Sequence, residues 1–214
     1  PDDPSADLAI LRSAILEAAK EGIIITAAVG NGGSSGPGLP AAYTRFDNVV
    51  GVASAANDDT WPSYSAYGAG VDFAAYSEGV ASTARSDIGL STPYVRISNG
   101  TSFATPFVTG MYALMKMRNP NLTLEEYLRI GRVAARPVED AVHGRNWAGS
   151  GIVNIGAAVS RVPFSIKGTV FIDWHKAPPN LPIAARINGA YCGVSQTIEE
   201  GMTTTFSIEV LAAA

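Results

Sequence analysis

Leu8, Leu11, Ile15 and Ala18 recur at intervals of three and four residues, so one stripe of the chain is apolar and the spacing predicts a helix. Asp3-Pro4 suits its N-cap and first turn, and Lys20 with Gly22 suits its end. Ile23 to Val29 then runs apolar without a break and is rich in β-branched residues, the pattern of a strand buried on both faces of a parallel sheet. Helix, tight turn and buried strand make half of a βαβ unit, and the strand expected before the helix is not in this sequence. Asn48 to Ala55 and Val71 to Ala75 read as further short strands, bounded by Gly, Asn or Asp. Ser77 to Asn99 is polar with little periodicity and reads as loop plus a hairpin ending near Ile97.

Phe103, Phe107, Met111 and Leu114 give one apolar face to a helix that begins near Thr101 and stops at Asn119-Pro120. Thr123 and Glu126 have capping-box spacing, which predicts a third helix to Ala135, closed by Pro137. Gly149 to Val159 reads as a short strand, a turn and a small helix. The pattern changes after Pro163: Phe164 to Trp174, Ile183 to Tyr191 and Thr203 to Leu211 cluster β-formers, with a turn signal at Asn188-Gly189. The fold class is therefore α/β, a partial doubly wound, mostly parallel sheet flanked by helices over residues 1–162, followed by a small β-rich extension of about three strands over 163–214.

Composition adds exclusions. The 214 residues are 47% hydrophobic, ordinary for a globular chain. A net charge of −4 gives no electrostatic reason to expect a nucleic-acid partner, and no apolar run reaches membrane-spanning length. Cys192 stands alone, so no disulfide forms within the chain.

The chemistry gathers at Asn99-Gly100-Thr101-Ser102-Phe103-Ala104-Thr105-Pro106. A glycine here lets another backbone approach closely. A serine at a helix start has free N–H groups and positive potential beside it, suited to a developing oxyanion. Alone, such a segment would be a plain N-cap. It is joined by Ala27-Ala28-Val29-Gly30-Asn31-Gly32, with Asn31 and Ser102 lying 71 positions apart.

These two segments resemble the active-site serine and oxyanion-asparagine motifs of the subtilisin-like serine proteases (subtilases, peptidase S8), with Phe103 where the family has methionine. Leu39-Pro40-Ala41, Val49 to Ser54, Gly68 to Ala75 and Gly149 to Asn154 resemble further family segments in the family's order. The resemblance spans about residues 7–160 and implies roles. Ser102 is the nucleophile, and the Asn31 amide with the Ser102 N–H forms the oxyanion hole. Ala28, Val29 and Gly30 line the pocket for a peptide or protein substrate, and Gly100 leaves room for its backbone. Asn31 argues against the sedolisin relatives, which place aspartate there. The chemistry requires no cofactor. Calcium is common in the family, but Asp47 and Asp58-Asp59 show no ligand pattern, so no metal ligand is assigned.

The triad is incomplete. The family order is Asp, His, Ser, and no histidine precedes Ser102. His143 and His175 both follow it, outside any base-like segment. The expectation is that the chain is the C-terminal part of a processed two-chain protease, with an N-terminal chain supplying His and Asp, and that it is inactive alone. The family further implies a secreted, extracellular or periplasmic location. The alternative is a catalytically inactive binding or regulatory module of the same fold.

Overall fold

The computed structural model describes residues 6–43, 46, 48–85, 95–139, 143–144, 147–172, 175–187, 190–200 and 203–210. The chain divides into two compact units, Pro1–Leu114 with Leu122–Ala158, and Met115–Asn121 with Val159–Ala214.

In the first unit, helix α1 spans Ala6–Lys20. The cap expected at Asp3-Pro4 lies outside the described residues. Its other end closes as the sequence leads one to expect: the Gly22 N–H donates to Ala19 O at 3.0 Å and the Ile23 N–H to Ala18 O at 2.9 Å, the paired bonds of a Schellman turn. The chain then enters β1 (Ile25–Ala28), β2 (Val49–Ala55) and β3 (Phe73–Tyr76), which form a parallel sheet in that order. All seven residues of β2 are buried. This is the strand covered on both faces. β1 is shorter than its apolar run and only partly buried, and Ile23 is half exposed. The reason is position. β1 pairs with β2 along one edge, and no described strand lies along the other. An apolar run records a strand's fitness for burial; its neighbours decide whether burial happens.

A hairpin of β4 (Val80–Thr83) and β5 (Val95–Ser98) leads from the sheet into α2 (Thr101–Arg118). α3 (Leu124–Ala134) opens with the expected capping box. The Thr123 Oγ1 accepts from the Glu126 N–H at 3.2 Å, and the Glu126 carboxylate accepts from the Thr123 N–H at 2.7 Å. Such a cap contributes about 1 kcal/mol. Bonds from Thr123 hold the Glu126 carboxyl below its ordinary range, so the box is complete at neutral pH; as the glutamate protonates in acid its carboxylate half weakens, while the bond from the Glu126 N–H to Thr123 Oγ1 remains. α4 (Ile155–Arg161) begins where Asn154 Oδ1 accepts from the Ala157 N–H at 3.0 Å. The core of this unit gathers Ile15, Val29, Val49, Ala53, Trp147 and Ile152 behind the sheet. Asp72 ties two strands together by accepting from the Gly51 N–H at 2.9 Å, and Arg132 pairs with its second oxygen at 3.1 Å.

The second unit is antiparallel. β6 (Phe164–Thr169), β7 (Phe171–Ile172), β8 (His175–Lys176), β9 (Pro182–Ile187), β10 (Ala190–Gln196), β11 (Ile198–Glu200) and β12 (Thr203–Val210) form the sheets β11-β12-β6, β10-β9 and β7-β8. The sequence pattern predicts about three strands here. The additional ones include β7, β8 and β11, two or three residues long and too short to show alternation. The expected turn at Asn188-Gly189 lies outside the described residues, between the paired strands β9 and β10. Ile208 and Val210 are buried in this unit, and the Arg118 guanidinium lies 5.1 Å from the centre of the Phe164 ring, a cation–π contact.

Candidate active site

β1 ends at Ala28, and the next residue continues its ladder, the Val29 N–H donating to Val52 O at 3.1 Å. The chain then leaves the C-terminal edge of the sheet as the loop bearing Asn31, and α2 begins beside that loop. At such an edge the strands stop and backbone groups become free for a ligand.

The junction is built by Thr101, which is fully buried. Its N–H donates to Asn31 Oδ1 at 2.9 Å and its hydroxyl to the same oxygen at 3.0 Å. The Thr101 Oγ1 also accepts from the Gly30 N–H at 3.3 Å. A backbone N–H can only donate, so the oxygen of the Asn31 amide must face Thr101 and its NH₂ must face away. It faces Gly100: a Cβ on that residue would stand 3.2 Å from Asn31 Nδ2. Gly100 has φ +134°, so any side chain there would be strained as well as crowded.

Ser102 stands exposed in the first turn of α2. The Phe103 and Ala104 N–H groups both donate to Gly100 O, at 2.8 and 3.3 Å. Among the described residues, neither the Ser102 hydroxyl nor its N–H has a hydrogen-bond partner, as the first N–H groups of a helix require no partner inside it. Pro106 has no N–H to give the Ser102 carbonyl. A hydroxyl ladder steadies the helix below the serine. Thr105 donates to Thr101 O at 2.8 Å, Thr109 donates to Thr105 O at 3.1 Å, and the Thr109 hydroxyl meets that of Thr26 on β1 at 2.6 Å. An open cleft of about 620 Å³ runs from Ser102 along this face, past Ala28, Thr105, Thr109 and Ala113, and among the described residues no charged side chain lines it.

The expected site residues thus divide. Asn31, Gly100 and Ser102 come together, and Ala28 lines the cleft. Val29 is fully buried in the core, its N–H bonded to Val52 O and its carbonyl accepting from the Gly38 N–H at 2.9 Å, so it supports the site from behind and offers a ligand no free group. Thr101 lies within the serine segment, but the motif assigns it no role of its own. Its sequence signal is a hydroxyl beside the serine, and its role depends on a loop 70 positions away.

His143 packs on the Trp61 ring, with centroids 4.1 Å apart, and on the Tyr67 ring at 4.5 Å. His175 is exposed on β8 in the second unit. The carboxylates considered for calcium are engaged otherwise. Asp58 accepts from the Thr60 N–H and hydroxyl, which hold its carboxyl low. Asp59 accepts from the Tyr76 hydroxyl and from Arg136 at 2.6 Å; these bonds, Tyr76 foremost, hold its carboxyl low and push the Tyr76 hydroxyl up. Asp47 lies outside the described residues. Among the described residues no three His, Cys, Asp or Glu side chains gather closely enough to hold a metal ion, and no helix is long and apolar enough to cross a membrane.

Comparison with known proteins bears on the family of the chain. The model of the subtilase family, peptidase S8, matches residues 2–146. Subtilisin BL of Lederbergia lenta is 34% identical over 153 residues, covering 70% of this chain and 51% of its own length. The minor extracellular protease Epr of Bacillus subtilis (strain 168) is 34% identical over 129 residues, 58% of this chain and 19% of that protein. Among solved structures, a protease from Pseudoalteromonas arctica superposes with a TM-score of 0.59 at 31% identity, over 70% of this chain and 45% of its own. The chain spans about half or less of the length of these relatives.

Proposed function

The chain belongs to the subtilase family, and on that premise we propose that it carries the nucleophile and oxyanion hole of a serine endopeptidase. The Ser102 Oγ attacks the carbonyl carbon of a peptide bond, and its proton passes to a histidine base. The tetrahedral oxyanion accepts hydrogen bonds from Asn31 Nδ2 and from the Ser102 N–H. The histidine returns the proton to the departing amine as the C–N bond breaks, and water then releases the acyl group from Ser102. Ala28 and Gly30 line the site for the substrate residue before the cut, Val29 supports them from the core, and Gly100 leaves the substrate chain room to pass.

The observation that carries this reading is the amide of Asn31, whose oxygen is held by two bonds from Thr101 and whose nitrogen lies on the Gly100 side, 3.2 Å from where a Cβ on that residue would stand. An amide locked in that sense is a donor prepared before any substrate arrives. The extracellular setting of one relative, printed in its name, supports a secreted location for this protease as well.

The base and its orienting aspartate come, in this reading, from an N-terminal chain of the same protease, produced by processing and docked on this one. A serine hydroxyl without a base is a poor nucleophile, and the described contacts of His143 lie elsewhere. Apolar side chains exposed on α1 and α2, among them Ile10, Leu16 and Leu114, together with the open edge of β1, support a companion segment packed there.

Substitution of the histidines in the full-length protein tests this placement. His175→Gln is expected to leave kcat unchanged and His143→Gln to cost no more than about tenfold, against roughly 10⁶ for loss of a true base. A loss of about 10⁴ or more from either variant, on the same scale, would contradict it.

A further inference from the structure

The loop that carries Asn31 is built from glycine and serine, with Gly30, Gly32, Gly33, Ser34, Ser35 and Gly36 in seven positions. Such residues have no bulk with which to anchor themselves. The loop takes its position from residues 64–67, to which its backbone is zipped. The Ala66 N–H donates to Gly30 O at 2.9 Å, Gly33 to Tyr64 O at 2.7 Å, Tyr67 to Ser34 O at 3.2 Å, and Gly36 to Tyr67 O at 2.8 Å. The fit is close: a Cβ on Gly33 would stand 2.4 Å from Ser63 O.

Residues 64–67 are in turn held by an aromatic block. The Trp61 indole N–H donates to Ser65 O at 3.0 Å. The Trp61 ring meets Tyr67 edge-on at 5.7 Å between centroids, and His143 lies against both rings. The buried Ser65 hydroxyl accepts from the Ser54 N–H at 3.1 Å, which fastens the segment to the central strand β2. A continuous path of packed rings and backbone bonds therefore runs from His143 and Trp61 through Tyr67 to the Asn31 loop, and ends at the bonds from Thr101.

We propose that Trp61, with Tyr67 and His143 stacked on it, is a positioning residue for the reaction: it sets where the Asn31 amide stands, without itself touching substrate. This rests on the oxyanion reading of Asn31 given above. An oxyanion donor must meet an atom that moves only a fraction of an ångström during the reaction, and a misplacement of about 1 Å can cost about 10²-fold. Thr101 holds the Asn31 amide, and the rest of the loop, built of glycine and serine, inherits the precision of what its backbone leans on.

The test is a double-mutant cycle in the full-length protein, reading kcat and KM for one peptide substrate. Trp61→Ala is expected to lower kcat about tenfold with KM within about twofold, and to speed hydrogen exchange across residues 30–36. In the Asn31→Ala background, the same change is expected to cost nothing further. Trp61→Phe keeps a ring for Tyr67 and His143 but loses the indole N–H; its smaller kcat loss, about threefold, follows the same rule and serves if the alanine variant does not fold. Equal losses in both backgrounds would overturn the inference, as would no loss beside a full effect of Asn31→Ala. No effect of Asn31→Ala itself would overturn the oxyanion reading, and the inference with it.

Discussion

Ser102→Ala in the full-length protein is expected to lower kcat by on the order of 10⁶ while KM for a peptide substrate moves less than about threefold. The reason lies in which contacts the change removes. In the proposed mechanism the Ser102 Oγ forms the bond to the substrate carbon, so without it no acyl-enzyme would form. On the proposed reading, the contacts that hold the substrate before reaction are made along the cleft at the end of β1, where Ala28 stands, and in the space at Gly100, and these survive. The binding surface and the reacting atom are separate parts of one junction. The helix start at Thr101 supplies the serine, and the end of β1 supplies the wall. Steady-state kinetics decide the matter. A loss of less than about 10²-fold would mean that another group is the nucleophile.

Asn31→Asp is expected to lower kcat by at least about 10²–10³, the usual cost of removing one oxyanion donor. Aspartate is the informative replacement. It retains an oxygen to accept the Thr101 N–H and hydroxyl, now at 2.9 and 3.0 Å, so the loop stays latched. It loses the NH₂ and puts negative charge where the oxyanion develops. The melting temperature should therefore change little while turnover collapses. The effect falls on kcat because the oxyanion exists only in the transition state and the intermediate that follows. A rise in KM with kcat unchanged would instead make Asn31 a ground-state binding residue.

Local signals in this chain can be read residue by residue. The Thr123–Glu126 box and the Gly22 helix end require only a few neighbouring residues, and both stand where the pattern puts them. The serine and asparagine segments are legible through resemblance, because each is short and its spacing to the next follows the family's order. Features that depend on packing are not legible. The burial of β1 depends on what lies along its free edge. Val29 turns its side chain into the core, although Ala28 beside it lines the cleft. The double donation from Thr101 joins residues 70 positions apart, and His143 packs on rings 82 and 76 positions before it. No local pattern in the sequence marks such contacts. In the second unit, the sequence shows the β character of the segment but too few of its strands, since alternation over two or three residues carries no period.

The central claim is that Ser102 is an activated nucleophile once the rest of its triad is present. Treatment of the purified protein with a fluorophosphonate probe, followed by intact-mass and peptide analysis of every polypeptide present, tests it most directly. The account predicts a single adduct on Ser102, together with a polypeptide segment bearing the histidine and aspartate. Absence of an adduct, with no such segment or with one lacking the histidine, would contradict it and leave a binding module of subtilase fold.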